Sequence, residues 1–311
     1  MSSFFRRKAK GIILFLIRQC CKLRCLYPNT GKIALCCIGK MENDYIRFFV
    51  EYYQRLHFDK IFIYDNNDQD GESFEDVIGD YIESGLVEVT NFRGRKIAQL
   101  AAYQDCYDKH KKEYDWIAFF DCDEFLTFAN GTDDIHTFLS RDEFKHFQVI
   151  HINWKVYGDS NMLDTDGRNI VDRLTQPIPD DTLMWCGNQD NQFENDYVKS
   201  LVRGGCYITW KMDSHSPRSN YYWCCNALGQ KTNLNSSIES FNHDVVYLRH
   251  YSTKTIGEWV RNKMARGFPD QSEESWKRIL DIDFFFRYNT KTEDKVAYAE
   301  KVLREMQSNQ S

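Results

Sequence analysis

From residue 31 onward the chain alternates short apolar runs with stretches of helical periodicity, and this alternation restricts the fold more than any other feature. KIALCCIG (32–39) reads as a first strand. Behind it Tyr45, Ile46, Phe49, Val50, Tyr53 and Leu56 recur at three- and four-residue spacing on one helical face, with Asn43 or Asp44 available as a cap. KIFIYDNND (60–68) is a second strand, and a helix from Ser73 through Phe74, Val77, Ile78, Tyr81 and Ile82 stops at Gly85, which accepts the left-handed conformation of a helix end. LVEVTNF (86–92) is a third strand, Ile97, Leu100, Ala101 and Gln104 open a helix running to about Tyr114, and DWIAFF (115–120) is a fourth strand. Such alternation predicts an α/β fold, a mostly parallel sheet flanked by helices.

The second half is less regular. In FQVIHINWKVYG the residues Ile150, Ile152, Trp154 and Val156 alternate with polar neighbours, as in a strand with one buried face. Residues 159–196 are rich in Asp, Asn, Gly and Pro and read as loops, YITWKM (207–212) and DVVYLRHY (244–251) as strands. The end is helical, with Thr290 and Glu293 as a capping box before Val296, Ala299, Leu303 and Met306.

A formal net charge of −6 and a pI near 5.8 argue against a nucleic-acid binder. The first 26 residues nevertheless hold seven cations and no acid, around the apolar run GIILFLI (11–17). That run is too short for a transmembrane span of ~20 residues, and no cleavage site of export type follows it. The segment reads either as a basic amphipathic anchor on an anionic membrane surface or as a solvated helix packed on the domain. Eleven cysteines without a C-x-x-C pair read as reduced small hydrophobes, which places the chain in the cytoplasm, with peripheral contact on the inner face of the membrane.

The fourth strand ends in three carboxylates, Asp121, Asp123 and Glu124. Ligands of open α/β sheets collect at the carboxyl ends of strands. Residues two apart on an extended segment point the same way, so Asp121 and Asp123 could share one Mg²⁺ or Mn²⁺ with a substrate diphosphate while Cys122 packs behind them. The plain alternative is an acidic loop in which Asp123 caps a helix.

Taken together, GKMENDYIRFFVEYYQRLHFDKIFIYDNNDQDGE, RGRKIAQLAAYQDC and the D-x-D of DWIAFFDCDEFL resemble the nucleotide-sugar-binding half of A-type (GT-A) glycosyltransferases, especially the family-2-like and family-92-like enzymes of bacterial surface polysaccharide synthesis. NWKVYGDS, VKSLVR, HSP and LRHYSTKTIGEWVRNKMARG extend the similarity to about residue 268. The resemblance implies a segment 1–30 preceding a catalytic domain over 31–268, with a nucleotide-sugar half to 128 and an acceptor half beyond, and a helical segment over 269–311. It implies a metal-dependent hexosyltransferase taking a nucleoside-diphosphate sugar, a UDP-sugar by preference, to a glycan or lipid-linked acceptor with inversion, in surface polysaccharide or lipopolysaccharide synthesis.

By the same resemblance Lys40, Glu42 and Asn43 lie near the nucleotide, Asp65 and Asn66 meet the uracil or ribose, and Arg93, Arg95 and Gln99 face phosphate. Tyr251, Lys254, Lys263 and Arg266 fold over the diphosphate, and either His215 or His250 adds a metal ligand, with His215 preferred. An inverting transfer needs a base across the sugar; Asp190, Glu194 and Asp213 are candidates, and Asp213, beside HSP, is preferred. Trp154, Tyr157, Trp185, Trp210, Tyr221, Tyr222 and Trp223 are candidate sugar-stacking rings, and 180–196 a candidate lid. Two other readings use the same residues: a non-catalytic nucleotide-sugar or glycan-binding protein, and a metal-dependent phosphodiesterase, which would need a second His/Asp cluster that the sequence does not display.

Overall fold

The structure, a computed structural model, describes residues 28–129, 131, 134–184, 192–205, 212–217, 223–233 and 242–308. Outside these residues lie the basic segment up to residue 27, most of YITWKM, and Trp185, Asp190, Trp210, Tyr221 and Tyr222.

The expected strand–helix alternation is present. Strands β1 (Ile33–Gly39), β2 (Lys60–Asp65), β3 (Val87–Asn91) and β4 (Trp116–Phe119) alternate with helices α1 (Asn43–Arg55), α2 (Glu75–Glu83) and α3 (Gln99–His110). All four strands pair in parallel, in the order β3-β2-β1-β4. Side-chain alternation splits each strand between two cores. Ile33, Leu35 and Cys37 of β1 pack with Ile61, Ile63 and Ala118 against Ile46, Phe49 and Tyr53 of α1. Ala34, Cys36 and Ile38 pack with Phe62, Ile117 and Phe119 against Ala102, Tyr103 and Cys106 of α3. Burying each large side chain contributes about 1.5–3 kcal/mol, so both sheet faces hold this half together.

Local details differ from the sequence reading at the helix ends. Glu42 occupies the cap position of α1 without a side-chain cap bond, and the Asn43 amide donates instead to Glu72 Oε1 at 2.9 Å. Gly85, at φ +81°, ends the α2 region as expected. Before α3 the chain passes through Ile97 at φ +51°, so that helix starts two residues later than its apolar pattern suggests.

The sheet continues as β7-β6-β10-β5, from β5 (Glu124–Phe128), β6 (Val149–Val156), β7 (Val198–Arg203) and β10 (Val246–His250). β8 (Cys224–Asn226) adds to β6, and β9 (Lys231–Thr232) to β8. Five strand pairs are parallel and four antiparallel, the antiparallel ones all from the second half. β6 is buried on both faces rather than one: Ile150, Ile152 and Val156 pack into one core, while on the other face Val149 packs into the second core and His151 and Asn153 are hydrogen-bonded. Short helices α4 (Ile135–Leu139) and α5 (Ile170–Arg173) lie between strands.

The chain ends in helices: α6 (256–266), which includes a π turn at Trp259–Lys263, then α7 (Glu273–Lys277), α8 (Ile282–Phe285) and α9 (Glu293–Ser308). Trp259, Trp276, Leu280, Phe285 and Val302 give them a core of their own. Thr292, not Thr290, caps α9, its Oγ1 accepting the Lys295 amide at 3.3 Å. Among the described residues the cysteines Cys36, Cys37, Cys106, Cys122, Cys224 and Cys225 are free and buried. No helix among the described residues is long and apolar enough to cross a membrane.

Candidate active site

β1 and β4 are neighbours whose crossovers leave in opposite directions, β1 toward β2 and β4 toward the rest of the sheet. A crevice opens at the carboxyl ends of such a pair. The cleft there has a volume of about 790 Å³ and is lined by Gly39 and Lys40 after β1, Asn66 after β2 and Asp121 and Asp123 after β4. Gly39 has to be glycine: a Cβ would stand 2.8 Å from the Phe74 ring and 3.2 Å from Cys122 Sγ.

The D-x-D does not lie on an extended strand. β4 stops at Phe119, a turn closed by the Glu124 amide on the Asp121 carbonyl (3.0 Å) follows, and β5 starts at Glu124. The turn gives its two aspartates different surroundings. Asp121 Oδ1 accepts from Tyr103 Oη (2.6 Å) and Gln99 Nε2 (2.7 Å), and Oδ2 from Lys199 Nζ at 2.7 Å. Lys199 reaches it because β7 runs antiparallel to β4, with Ser200 in register with Phe119. Burial alone would raise the Asp121 carboxyl, but the Lys199 charge and the hydrogen bonds from Lys199 and Tyr103 together hold the group below its ordinary value. Glu124, fully buried, is pushed well up by burial, and its Oε2 takes the Asp121 amide at 2.9 Å.

Asp123 faces a different set of groups. His250 Nε2 stands 3.8 Å from Oδ1 and Lys263 Nζ 3.9 Å from Oδ2. β10 positions His250, since its pairing with β5 sets His250 opposite Glu124 and the Tyr251 amide donates to the Asp123 carbonyl at 2.9 Å. Burial lowers the imidazole to about 4, so it is neutral near pH 7. The carboxylate is held well below its ordinary value against burial, and with His250 neutral the cations responsible are Lys263, Lys254 and Arg266. His250 Nδ1 is buried without a hydrogen-bond partner.

The structure gathers Lys40, Glu42, Asn66, Gln99, Asp121, Asp123, Asp213, His215, His250, Lys263 and Arg266 around this one cleft. Asp65, Arg93 and Lys254 do not line it. Asp65 accepts from Arg93 Nε (2.8 Å) and the Asn67 amide (2.9 Å), while the Arg93 guanidinium also ties down the carbonyls of Asp68 and Glu72. That pair therefore shapes the loop after β2 rather than meeting a ligand. Lys254 Nζ is buried over the Tyr45 ring, 3.1 Å from Glu42 Oε2, and Arg266 closes on the other Glu42 oxygen. Glu42 is thus held by two cations, not presented to the cleft as a lone acid.

His215 stacks on Tyr197 (5.0 Å between centroids) and packs against Trp154, its Nδ1 3.1 Å from the Val198 carbonyl oxygen. Asp213 sits on the same loop, where Oδ1 accepts the His215 amide at 3.4 Å. Of the candidate stacking rings, Trp154 lines the cleft; Tyr157 and Trp223 do not.

Sequence reasoning missed Lys199 and the far wall. A lone lysine in the apolar strand VKSLVR was the available signal, since a strand buried on both faces carries a charge only where a partner waits. The wall comprises Phe268, Pro269, Asp270, Trp276, Phe284 and Tyr288, so residues beyond 268 close the cleft.

Three histidines, His151 and His250 buried and His215 half-buried, make stability depend on pH. His151, bonded to Ser216 and Thr232, is lowered to about 4 by burial, as are His215 and His250. The unfolded chain protonates them near 6.5, so the unfolded state gains protons first as pH falls and stability drops between pH 6.5 and 4, each histidine costing on the order of 3 kcal/mol. The expected result is a steep fall in melting temperature across that window; a flat profile refutes it.

A neutral imidazole and a paired carboxylate thus meet, walled by cations, at the switch point of the α/β sheet, where folds of this class bind their ligands. The chain matches glycosyltransferase family 92 over residues 33–281, and it belongs to that family. A family 92 protein of Oryza sativa subsp. japonica is 29% identical over 104 residues, 33% of this chain and 17% of the relative, and one of Ricinus communis is 33% identical over 101 residues, 32% and 17%. Each alignment spans about a sixth of the relative's length. Among solved structures, S. aureus TarS 1–349 in complex with UDP-GlcNAc aligns with a TM-score of 0.36 at 11% identity, covering 88% of this chain and 80% of TarS. The galactosyltransferase LgtC with donor and acceptor sugar analogues gives 0.34 at 10%, covering 85% and 99%. Alignments this loose carry no argument about ligands.

Proposed function

We propose that the chain transfers a sugar from a UDP-sugar to a glycan or lipid-linked acceptor, with inversion and with the help of Mn²⁺ or Mg²⁺, in surface polysaccharide or lipopolysaccharide synthesis. The observation that supports it most is the approach of His250 Nε2 and Lys263 Nζ, at 3.8 and 3.9 Å, to the two oxygens of Asp123 at the switch point. A gap of 3.8 Å is too long for a hydrogen bond, yet suits a hard cation bonded at about 2.1 Å to an oxygen and a nitrogen. Among the described residues no group of three or more His, Cys, Asp and Glu converges as a closed metal cage. The fit is to an open site, in which Asp123 and His250 would hold the ion and the diphosphate and water complete it. The ion would supply charge neutralisation to the leaving diphosphate.

The chain's own cations share that task. Lys263 lines the cleft beside Asp123, and Arg266, fixed by Glu42 and the Lys40 carbonyl (2.9 Å), stands at its rim. Fixed charges of this kind stabilise a developing anion without reorganisation. Asn66 belongs to the nucleoside end: both its amide hydrogens are held by the carbonyls of Phe92 and Arg95, at 2.9 Å each. The basic amphipathic segment before residue 28 is proposed as a peripheral contact with anionic membrane, in the cytoplasm.

The test is thermal stabilisation by uridine and guanosine diphosphates and their sugars, with and without Mn²⁺, followed by transfer and hydrolysis assays. Mn²⁺-dependent stabilisation by UDP, removed by Asp123→Asn, is the expected result. Stabilisation that ignores Mn²⁺, with neither transfer nor hydrolysis, would instead mark a binding protein.

A further inference from the structure

The two aspartates of the D-x-D turn are treated differently by the protein, and the difference is made by one buried lysine. Lys199 is 1% exposed, and its ammonium is shared between Asp121 Oδ2 (2.7 Å) and Glu124 Oε1 (3.7 Å). Tyr103 and Gln99 fill the other oxygen of Asp121. Both carboxylate oxygens therefore already carry donors from the protein, one of them a full positive charge. Asp123, two residues on, has no donor within hydrogen-bond distance among the described residues, only His250 and Lys263 at 3.8 and 3.9 Å.

We propose that Lys199 is a positioning residue that stands in for a divalent cation at Asp121, confining the metal to Asp123 and His250 and leaving Asp121 as a fixed acceptor for the donor's hydroxyl groups. An ammonium 2.7 Å from Asp121 and a dication on the same carboxylate would repel each other in a buried, poorly screened position. One resident charge excludes the other. The lysine also explains why the Asp121 carboxylate stays ionised beside the fully buried Glu124, whose own carboxyl burial pushes well up. Asp121 remains open to the cleft, with 29% of its side chain exposed, so an acceptor lone pair stays available to a sugar or ribose hydroxyl.

This inference rests on the metal reading above, and the experiment separates the two. Mn²⁺ binding to the full chain is measured by the electron spin resonance signal of free Mn²⁺, without nucleotide and with UDP, for wild type, Asp121→Asn, Asp123→Asn and Lys199→Met. With UDP present, Asp123→Asn is expected to weaken Mn²⁺ binding by ~10-fold or more and Asp121→Asn by less than about 3-fold. Without nucleotide, Lys199→Met should gain a Mn²⁺ site at least ~10-fold tighter than any in wild type, because its removal leaves the Asp121 carboxylate without its cation, two residues from Asp123. A merely structural lysine would give no such gain. Equal losses in the two aspartate variants, or no gain in a folded Lys199→Met, would overturn the proposal. If Lys199→Met does not fold, the aspartate comparison decides alone. Wild type that binds no Mn²⁺ even with UDP, while Lys199→Met acquires a site, would sink the metal part of the proposed function and leave the role of Lys199 standing.

Discussion

Asp213→Asn is expected to lower sugar transfer by about 10²–10⁴-fold while UDP affinity stays within about 3-fold of wild type. In the proposed single displacement the acceptor oxygen bonds to the anomeric carbon as the bond to the diphosphate oxygen breaks. The nucleoside diphosphate leaves with that electron pair, and the acceptor's proton passes to a carboxylate. Asp213 lines the cleft on a loop held by its neighbour: His215 donates its amide to Asp213 Oδ1 at 3.4 Å and wedges its ring against Tyr197 and Trp154. Glu194, the other described candidate, is buried and accepts the Tyr288 hydroxyl at 2.8 Å, which suits a strut between the sheet half and the C-terminal wall. Glu194→Gln should accordingly change turnover far less than Asp213→Asn. Turnover and UDP binding measured on the same preparations check this; transfer by Asp213→Asn within tenfold of wild type removes it as the base.

How much of this was legible beforehand follows from the range over which each feature is determined. The first four strands and three helices were readable because their signals are local: period-two and period-3.6 patterns over runs of four to thirteen residues. The acid turn after β4 was readable for the same reason. What its aspartates touch was not. Lys199 is 78 residues from Asp121, and Lys263 and His250 meet Asp123 only through the pairing of β10 with β5. Those contacts are set by strand order, which the second half, with its loops and two-residue strands, does not advertise. Arg93 shows the reverse error. A cation after a third strand suggests phosphate, yet the buried Asp65 at the end of the neighbouring strand claims it first. The wall beyond residue 268 escaped for another reason: Trp276, Phe284 and Tyr288 look like ordinary amphipathic helix residues, and only the packing of α6 to α9 turns their rings toward the cleft.

Glu258→Ala is expected to cost about 3–5 kcal/mol of folding stability, the range for stripping a partner from a buried ion pair. Glu258 is 3% exposed and receives Tyr45 Oη at 2.6 Å, both terminal nitrogens of the buried Arg173, and the amide and hydroxyl of Thr255 at 3.1 and 2.6 Å. One carboxylate thus ties α1, α5 and the first turn of α6 together. Alanine would leave the Arg173 guanidinium, already without a partner at Nε, as an uncompensated charge in the interior. Against a typical total of 5–15 kcal/mol, that is a large fraction of the stability. The urea midpoint should fall accordingly, and a loss below about 1 kcal/mol would show that the network is not what holds these elements. Replacing both partners, Arg173→Met with Glu258→Leu, should restore most of the stability, because apolar pairs of similar volume replace buried ion pairs at little cost. The double variant isolates what the charges do for function. α6 carries Lys263 and Arg266, so if Tyr45 and Thr255 orient it through Glu258, a stable double variant will still bind UDP more weakly than wild type; undiminished UDP binding would mean that apolar packing alone sets the helix in place.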